Sequence, residues 1–217
     1  MSAALIDQLK ASPLLPELLQ EAQAVLLREC SLRQKFHHDI TPEQKSEFIN
    51  GEVILHSPAL HRHLVTTQRT YNLMRAFTRI HGCGQVLVEK AMTSFPRNDY
   101  EPDIVFFGVA KSSLLSPDTL RFPVPDLIVE VLSPSTEARD RGVKFTDYAS
   151  HGVGEYWIID PVAETVELHR RSDAMYPPTE RQSQGVLTST VIPGFEILVR
   201  AIFDEHANLA ALRELLG

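Results

Sequence analysis

The order of apolar runs predicts an α/β domain built around a mixed β-sheet flanked by helices, with a helical extension at the N-terminus. Three observations carry it. β-type runs at QVLVEK, DIVFFG and DLIVEVL alternate with helical patterns at 61–80 and 136–150. EYWIID and ETVELHR then flank a Pro-containing turn at 161–163, as an antiparallel hairpin does. Finally, 217 residues with 43% hydrophobic and 23% charged side chains are those of an ordinary globular chain with a real core.

Each element has a local reason. Residues 3–35 place Leu14, Leu15, Leu18, Leu19, Val25 and Leu26 at helical spacing, with Pro13 and Pro16 at the start, which predicts one or two amphipathic helices. The polar stretch QKFHHDITPEQ, with Pro42, connects them to the body. In FINGEVILHSP, Gly51 turns the chain, Glu52–Leu55 is a short strand and Pro58 ends it. Leu64, Tyr71, Met74 and Phe77 mark the core face of a helix that the GCG at 82–84 stops. Thr136–Ser150 reads as one helix ended by Gly152, GVLTSTVI and FEILV as short strands, and Asp204–Leu216 as the last helix.

Composition narrows function. Lys plus Arg number 21 against 28 Asp plus Glu, a formal charge of -7, which argues against a generic polyanion binder. Cys30 and Cys83 are too few for a disulfide framework and suit a reducing compartment. The first residues lack a signal peptide's basic flank and apolar stretch, and no segment approaches 18 apolar residues, so the expectation is a cytoplasmic, soluble chain.

The most informative residue is Glu130. It interrupts an apolar run of the kind covered on both faces of a sheet, where an unpaired carboxylate costs several kcal/mol or shifts its pKa upward. A buried Lys or Arg would compensate it, and so would a divalent metal. Asp103 opens a second apolar strand directly after proline, as a cap or as a second ligand. Asp126 shares a strand face with Glu130 but stands about 13 Å away, too far for one shared ion. Asp140, Lys144 and Tyr148 recur every four residues, along one face of the helix that follows the Glu130 strand.

Taken together, EPDIVFF, PDLIVEVLSPST, ARDRGVKFTDYASHGVGEYWIID and GFEILVRAIF resemble the Uma-two family, across about residues 47–203. The resemblance implies a restriction-endonuclease-like fold with a PD-(D/E)XK site, divided as a helical extension at 1–46 and a nuclease domain at 47–217. It implies an Mg²⁺-dependent endonuclease acting on nucleic acid, DNA first, with Mn²⁺ as an alternative ion. Asp103 is then the PD aspartate and Glu130 the second carboxylate, both holding metal. Leu132 stands where the usual lysine would, so the lysine function passes to Lys144. Glu52, in NGEVI, matches an early family glutamate as a further metal ligand, with an exposed strand residue as the alternative.

Other candidates are weaker. LSPST reads as a turn with Ser135 or Thr136 capping the next helix, not as a serine nucleophile. The histidines lack zinc-ligand spacing, and His61 or His63 reads as a cap or surface residue, at a place where the resembled family often has a histidine. Tyr156 and Trp157 read as core or edge packing. A basic surface including Arg62, Arg69, Arg139 and Arg141 would offset the acidity toward nucleic acid. The rival reading is a non-catalytic binding or regulatory protein in which Glu130 and Lys144 form a structural ion pair. Such enzymes often act as homodimers, and residues 3–35 are a candidate interface, with packing inside one chain as the alternative.

Overall fold

In the computed structural model, which describes residues 3–41 and 43–217, a six-stranded mixed sheet forms the centre. Pro42 lies outside the described residues. The sheet order is β10 (Arg181–Gln182), β9 (Thr165–Arg170), β8 (Glu155–Asp160), β7 (Leu127–Val131), β6 (Ile104–Gly108), β3 (Gly84–Val88). All its pairings are antiparallel except β7 with β8, where Glu130 stands beside Ile158.

Every residue of β7 is buried because both faces of the sheet are covered. On one face Leu127, Val129 and Val131 pack with Leu73, Met74 and Phe77 of α3 (His61–His81) and with Ala201 and Ile202 of α7 (Arg200–Phe203). On the other, Ile128 and Leu132 pack with Tyr148 and Ala149 of α6 (Val143–Ser150). The final helix, α8 (Glu205–Leu216), packs on α3, and Asp204 caps it by accepting from the Ala207 N–H at 2.8 Å.

A second sheet lies beside the first, in the order β2 (Glu52–Leu55), β1 (Ser46–Ile49), β5 (Asp99–Tyr100), β4 (Thr93–Ser94). The turn between β1 and β2 is Asn50–Gly51, both at positive φ (50° and 86°), the conformation a two-residue hairpin requires. β1 adds a strand to the one expected at Glu52–Leu55. Its Phe48 packs with Phe36 of α2 (Leu15–Asp39), which follows α1 (Ala3–Ala11). Arg33 pins α2 to the body with two contacts to Asp99, at 2.6 and 2.7 Å, and further bonds to the carbonyls of Phe95, Pro96 and Asn98.

Three local expectations change. The helix expected over 136–150 is broken into α5 (Glu137–Asp140) and α6 at Gly142, where a β-carbon would meet the Ala138 carbonyl oxygen at 2.7 Å. Thr136 makes no capping bond; the Ser133 carbonyl instead accepts from the Thr136 and Glu137 N–H groups. Leu64 is exposed, and Leu73 takes its place on the core face of α3. β11 (Val186–Thr188), paired with β12 (Glu196–Leu198), ends where Ser189 and Thr190 turn to donate to the buried Glu155 carboxylate. A short α4 (Val109–Ser112) follows β6. No helix among the described residues is long and apolar enough to cross a membrane.

Candidate active site

The β6–β7 register brings two carboxylates together. Ile104 stands opposite Val129, so Asp103 falls opposite Glu130, on the face of Ile128 and Leu132. Asp103 is tied to β7 by the Val131 N–H, which donates to its Oδ2 at 2.9 Å. Both side chains are nearly buried, with a small opening to solvent.

Behind them sits Lys144. Its ammonium donates to Glu130 Oε1 at 2.9 Å and lies 2.9 Å from Glu47 Oε1 and 3.2 Å from Asp140 Oδ1. The helix break at Gly142 does not separate Asp140 from Lys144. Tyr148, one turn further on, donates its hydroxyl to the same Glu130 oxygen at 3.0 Å. Glu47 comes from β1, where its Oε1 also accepts the Glu101 N–H at 3.0 Å and its Oε2 faces His56 Nε2 at 3.3 Å. With its side chain 2% exposed, Lys144 is the internal counter-ion of three carboxylates.

The rim is built differently. Lys45 reaches Asp103 Oδ1 at 3.2 Å with its side chain 22% exposed, and His63, from the first turn of α3, donates from Nε2 to Asp103 Oδ2 at 3.1 Å. Nearby, Glu89 and Lys90 both adopt the left-handed conformation, at φ 50° and 44°, and the Glu89 N–H donates to the Asp103 carbonyl.

These neighbours drive the carboxylates apart electrostatically. Burial alone would raise Asp103, but His63 and Lys45 outweigh it and hold the group well below the usual carboxylate range. Glu47 is likewise held down, at about 2, because Lys144 and His56 overcome its burial. Glu130 goes the other way: burial, together with the charges of Asp140, Asp103 and Glu47, outweighs Lys144 and pushes it up to about 8. Burial works against the charge of Lys144 and Lys45, yet their carboxylates keep both ammoniums firmly protonated. His63 is raised as well, with Asp103 overcoming the cost of burial.

Of the four residues expected from sequence, Asp103, Glu130 and Lys144 gather in one cluster and Glu52 does not. Glu52 pairs with Ile49 at the turn end of the β1–β2 hairpin and is exposed; the early carboxylate that reaches the cluster is Glu47, on the other strand. His63 corrects the cap or surface reading by bonding Asp103. Lys45 and Glu47 carried no signal in the sequence beyond being polar residues next to strands, whereas His63 stands where the resembled family often has a histidine. The expected basic surface also changes. Arg69 is paired with Glu205, and Arg141 is paired with Glu137 and Glu167.

The donor set suits a hard cation. Asp103 and Glu130 offer two carboxylates side by side, and Mg²⁺ is commonly held by one or two carboxylates, with water and substrate phosphate completing its shell. No three His, Cys, Asp or Glu side chains among the described residues are arranged to hold an ion by themselves. The Glu130 carboxylate, pushed up to about 8, is the group a divalent cation would relieve.

A mixed α/β fold with a buried carboxylate–lysine cluster is the class that these features define. A family model for Uma2, described as "Putative restriction endonuclease", matches residues 33–200. The chain belongs to the Uma2 family. Its fold is that of a crystal structure described as "a putative nuclease belonging to DUF820" from Anabaena variabilis ATCC 29413, with a TM-score of 0.68 and 18% identity, covering 82% of this chain and 97% of that one. An uncharacterized protein of Synechocystis sp. (strain PCC 6803) is 44% identical over 50 residues, 23% of this chain and 26% of that protein, so the match spans about a quarter of the relative's length.

Proposed function

We propose that the protein is an endonuclease that hydrolyses phosphodiester bonds in nucleic acid, DNA first, using Mg²⁺ or Mn²⁺ held by Asp103 and Glu130. The observation that carries this reading is the pair of carboxylates opposed across β6 and β7 with a lysine on each side of them. The ion, when bound, supplies Lewis-acid charge for the phosphate and lowers the pKa of water. The chain's own residues do the rest. His63 and the Val131 N–H fix the orientation of Asp103. Lys144 and Tyr148 fix Glu130 from behind. Lys45, a partly exposed cation beside Asp103, is able to turn from it to a phosphate oxygen.

The reading places the protein in the cytoplasm, in keeping with its two free cysteines. A homodimer would suit double-strand cutting, and exposed Leu14, Leu18, Leu19, Val25 and Leu26 supply an apolar surface for it; sedimentation of the purified chain tests that arrangement. Cleavage assays on DNA and RNA with Mg²⁺ and Mn²⁺, repeated with Asp103→Asn and Glu130→Gln, test the activity.

One observation favours the rival reading of a non-catalytic nucleic-acid-binding or regulatory protein. Lys144 is saturated by three carboxylates in the interior, as a structural ion cluster is. Calorimetry separates the two. Metal binding lost in Asp103→Asn supports the enzyme, and no binding at millimolar metal supports the rival.

A further inference from the structure

The helix that carries His63 to the cluster has a composition unlike the rest of the chain. α3 holds four arginines and three histidines and no carboxylate, in a protein whose net charge is -7. Its solvent side presents Gln68, Asn72, Arg75 and Arg79 at successive three- and four-residue steps, so they form one stripe. Arg69 has its acidic partner in Glu205, whereas among the described residues Arg75 and Arg79 have none. Arg75 instead lies over the Tyr71 ring at 5.8 Å.

Both arginines line a groove of about 540 Å³ with Tyr71, Gly84, Gln85 and Ser112, and no carboxylate contributes to it. One wall is α3 and the other is β3, the edge strand of the sheet among the described residues. Gly84 shapes the floor: a β-carbon there would fall 2.3 Å from the Phe107 carbonyl oxygen, so the strand approaches its neighbour closely. The groove and the carboxylate cluster are connected along the chain. β3 runs from Gly84, opposite Gly108, to Val88, opposite Ile104, the residue after Asp103. On α3, His63 to Arg79 is sixteen residues, about 24 Å of helix.

We propose that this groove binds the phosphate backbone of a nucleic-acid strand on one side of the Asp103–Glu130 cluster. The inference rests on the nuclease reading for the position of the cut, but its ligand chemistry is argued from the groove alone. Two guanidiniums without acidic partners provide planar, multidentate donors for phosphate, and the Tyr71 ring offers a face for stacking. The separation of about 24 Å corresponds to about seven base steps at 3.4 Å each. The overall acidity is then no obstacle, because the chain concentrates unpaired positive charge along one helix.

Binding of long duplex and single-stranded DNA, followed by fluorescence anisotropy in Ca²⁺ at several salt concentrations, tests it. Arg75→Gln/Arg79→Gln is compared with Arg28→Gln/Arg213→Gln, which removes the same charge from exposed sites elsewhere. The groove variant should bind about tenfold more weakly, with a log–log salt slope shallower by about 2, while the control retains wild-type behaviour. Equal loss in both variants, equal binding in all three proteins, or no binding by wild type would overturn the proposal. Arginine-dependent binding of inorganic phosphate alone, with DNA binding unchanged, would also overturn it in favour of a small-anion site. Cleavage is read in parallel with Mg²⁺. A wild type that cuts while the groove variant binds normally refutes the groove and leaves the nuclease standing. A wild type that binds through the groove but never cuts refutes the nuclease and leaves the groove.

Discussion

Lys45 meets Asp103 at 3.2 Å on the open side of the cluster, with one carboxylate oxygen as its contact and with solvent beside it. Lys144, the lysine expected from sequence, sits behind Glu130 and is spent on three carboxylates. The two lysines therefore predict different mutant phenotypes. Lys45→Ala removes a partly buried ion pair and leaves the nearly buried Asp103 with His63 and the Val131 N–H, a loss of about 1–3 kcal/mol. It should stay folded and lose turnover by about a hundredfold, as removal of one charge-stabilising donor does. Lys144→Met leaves Glu47, Glu130 and Asp140 facing one another, and denaturant unfolding should show a loss of about 3–5 kcal/mol.

The early glutamates separate in the same way. Glu47→Ala exposes Lys144 to an unbalanced set of contacts and removes the acceptor of the Glu101 N–H, so it should destabilise by about 3 kcal/mol. Glu52→Gln, at an exposed hairpin position, should change stability by less than about 0.5 kcal/mol and leave cleavage and metal affinity at wild-type values. Parallel denaturant titrations and metal calorimetry decide the assignment. A Glu52 variant that loses metal binding would return the role to Glu52.

The raised Glu130 sets a pH dependence for the metal-free protein. Its folded pKa, about 8, lies above the unfolded value of 4.5, so between those values the folded state holds a proton that the unfolded chain has released. Stability from this group is fully present below 4.5 and is lost as pH rises through about 8. Measured against Glu130→Gln, which removes the titration, wild type should lose on the order of a few kcal/mol across that window. A difference between the two proteins that stays constant with pH would contradict the assignment.

Arg33 predicts how the extension is attached. Breaking its two contacts to Asp99 with Arg33→Met leaves a fully buried carboxylate supported by His37 and Ser94. Hydrogen exchange should rise along α2 and at residues 95–99, with little change in β7 and β8. Uniform acceleration across the sheet would instead mean that α2 is integral to the main core.

Much of this architecture was legible because local pattern and burial agree. The continuous apolar run of β7 marks a strand covered on both sides, and Glu130 is visible because it breaks that run. Hairpin β8–β9 is equally plain, with a β-type run on each side of a short Pro-containing turn. Glu47 was hidden for a physical reason. In SEFI nothing local distinguishes a solvent-facing glutamate from one that meets Lys144, which lies 97 residues away in sequence; the burial comes from β1 pairing with β5 and closing over α6. Lys45 was hidden in the same sense, since what defines it is its distance to Asp103. Gly142 was in view, but one glycine in an otherwise helical pattern does not announce a break whose flanking residues still face one way.

The most direct measurement is cleavage of labelled DNA by purified wild type, Asp103→Asn and Glu130→Gln, with Mg²⁺, with Mn²⁺ and with a chelator. The account predicts metal-dependent nicking by wild type that falls by at least about a thousandfold in both variants, with each variant retaining the wild-type circular dichroism spectrum. Cleavage by both variants at the wild-type rate, or by wild type in the presence of chelator, would contradict it.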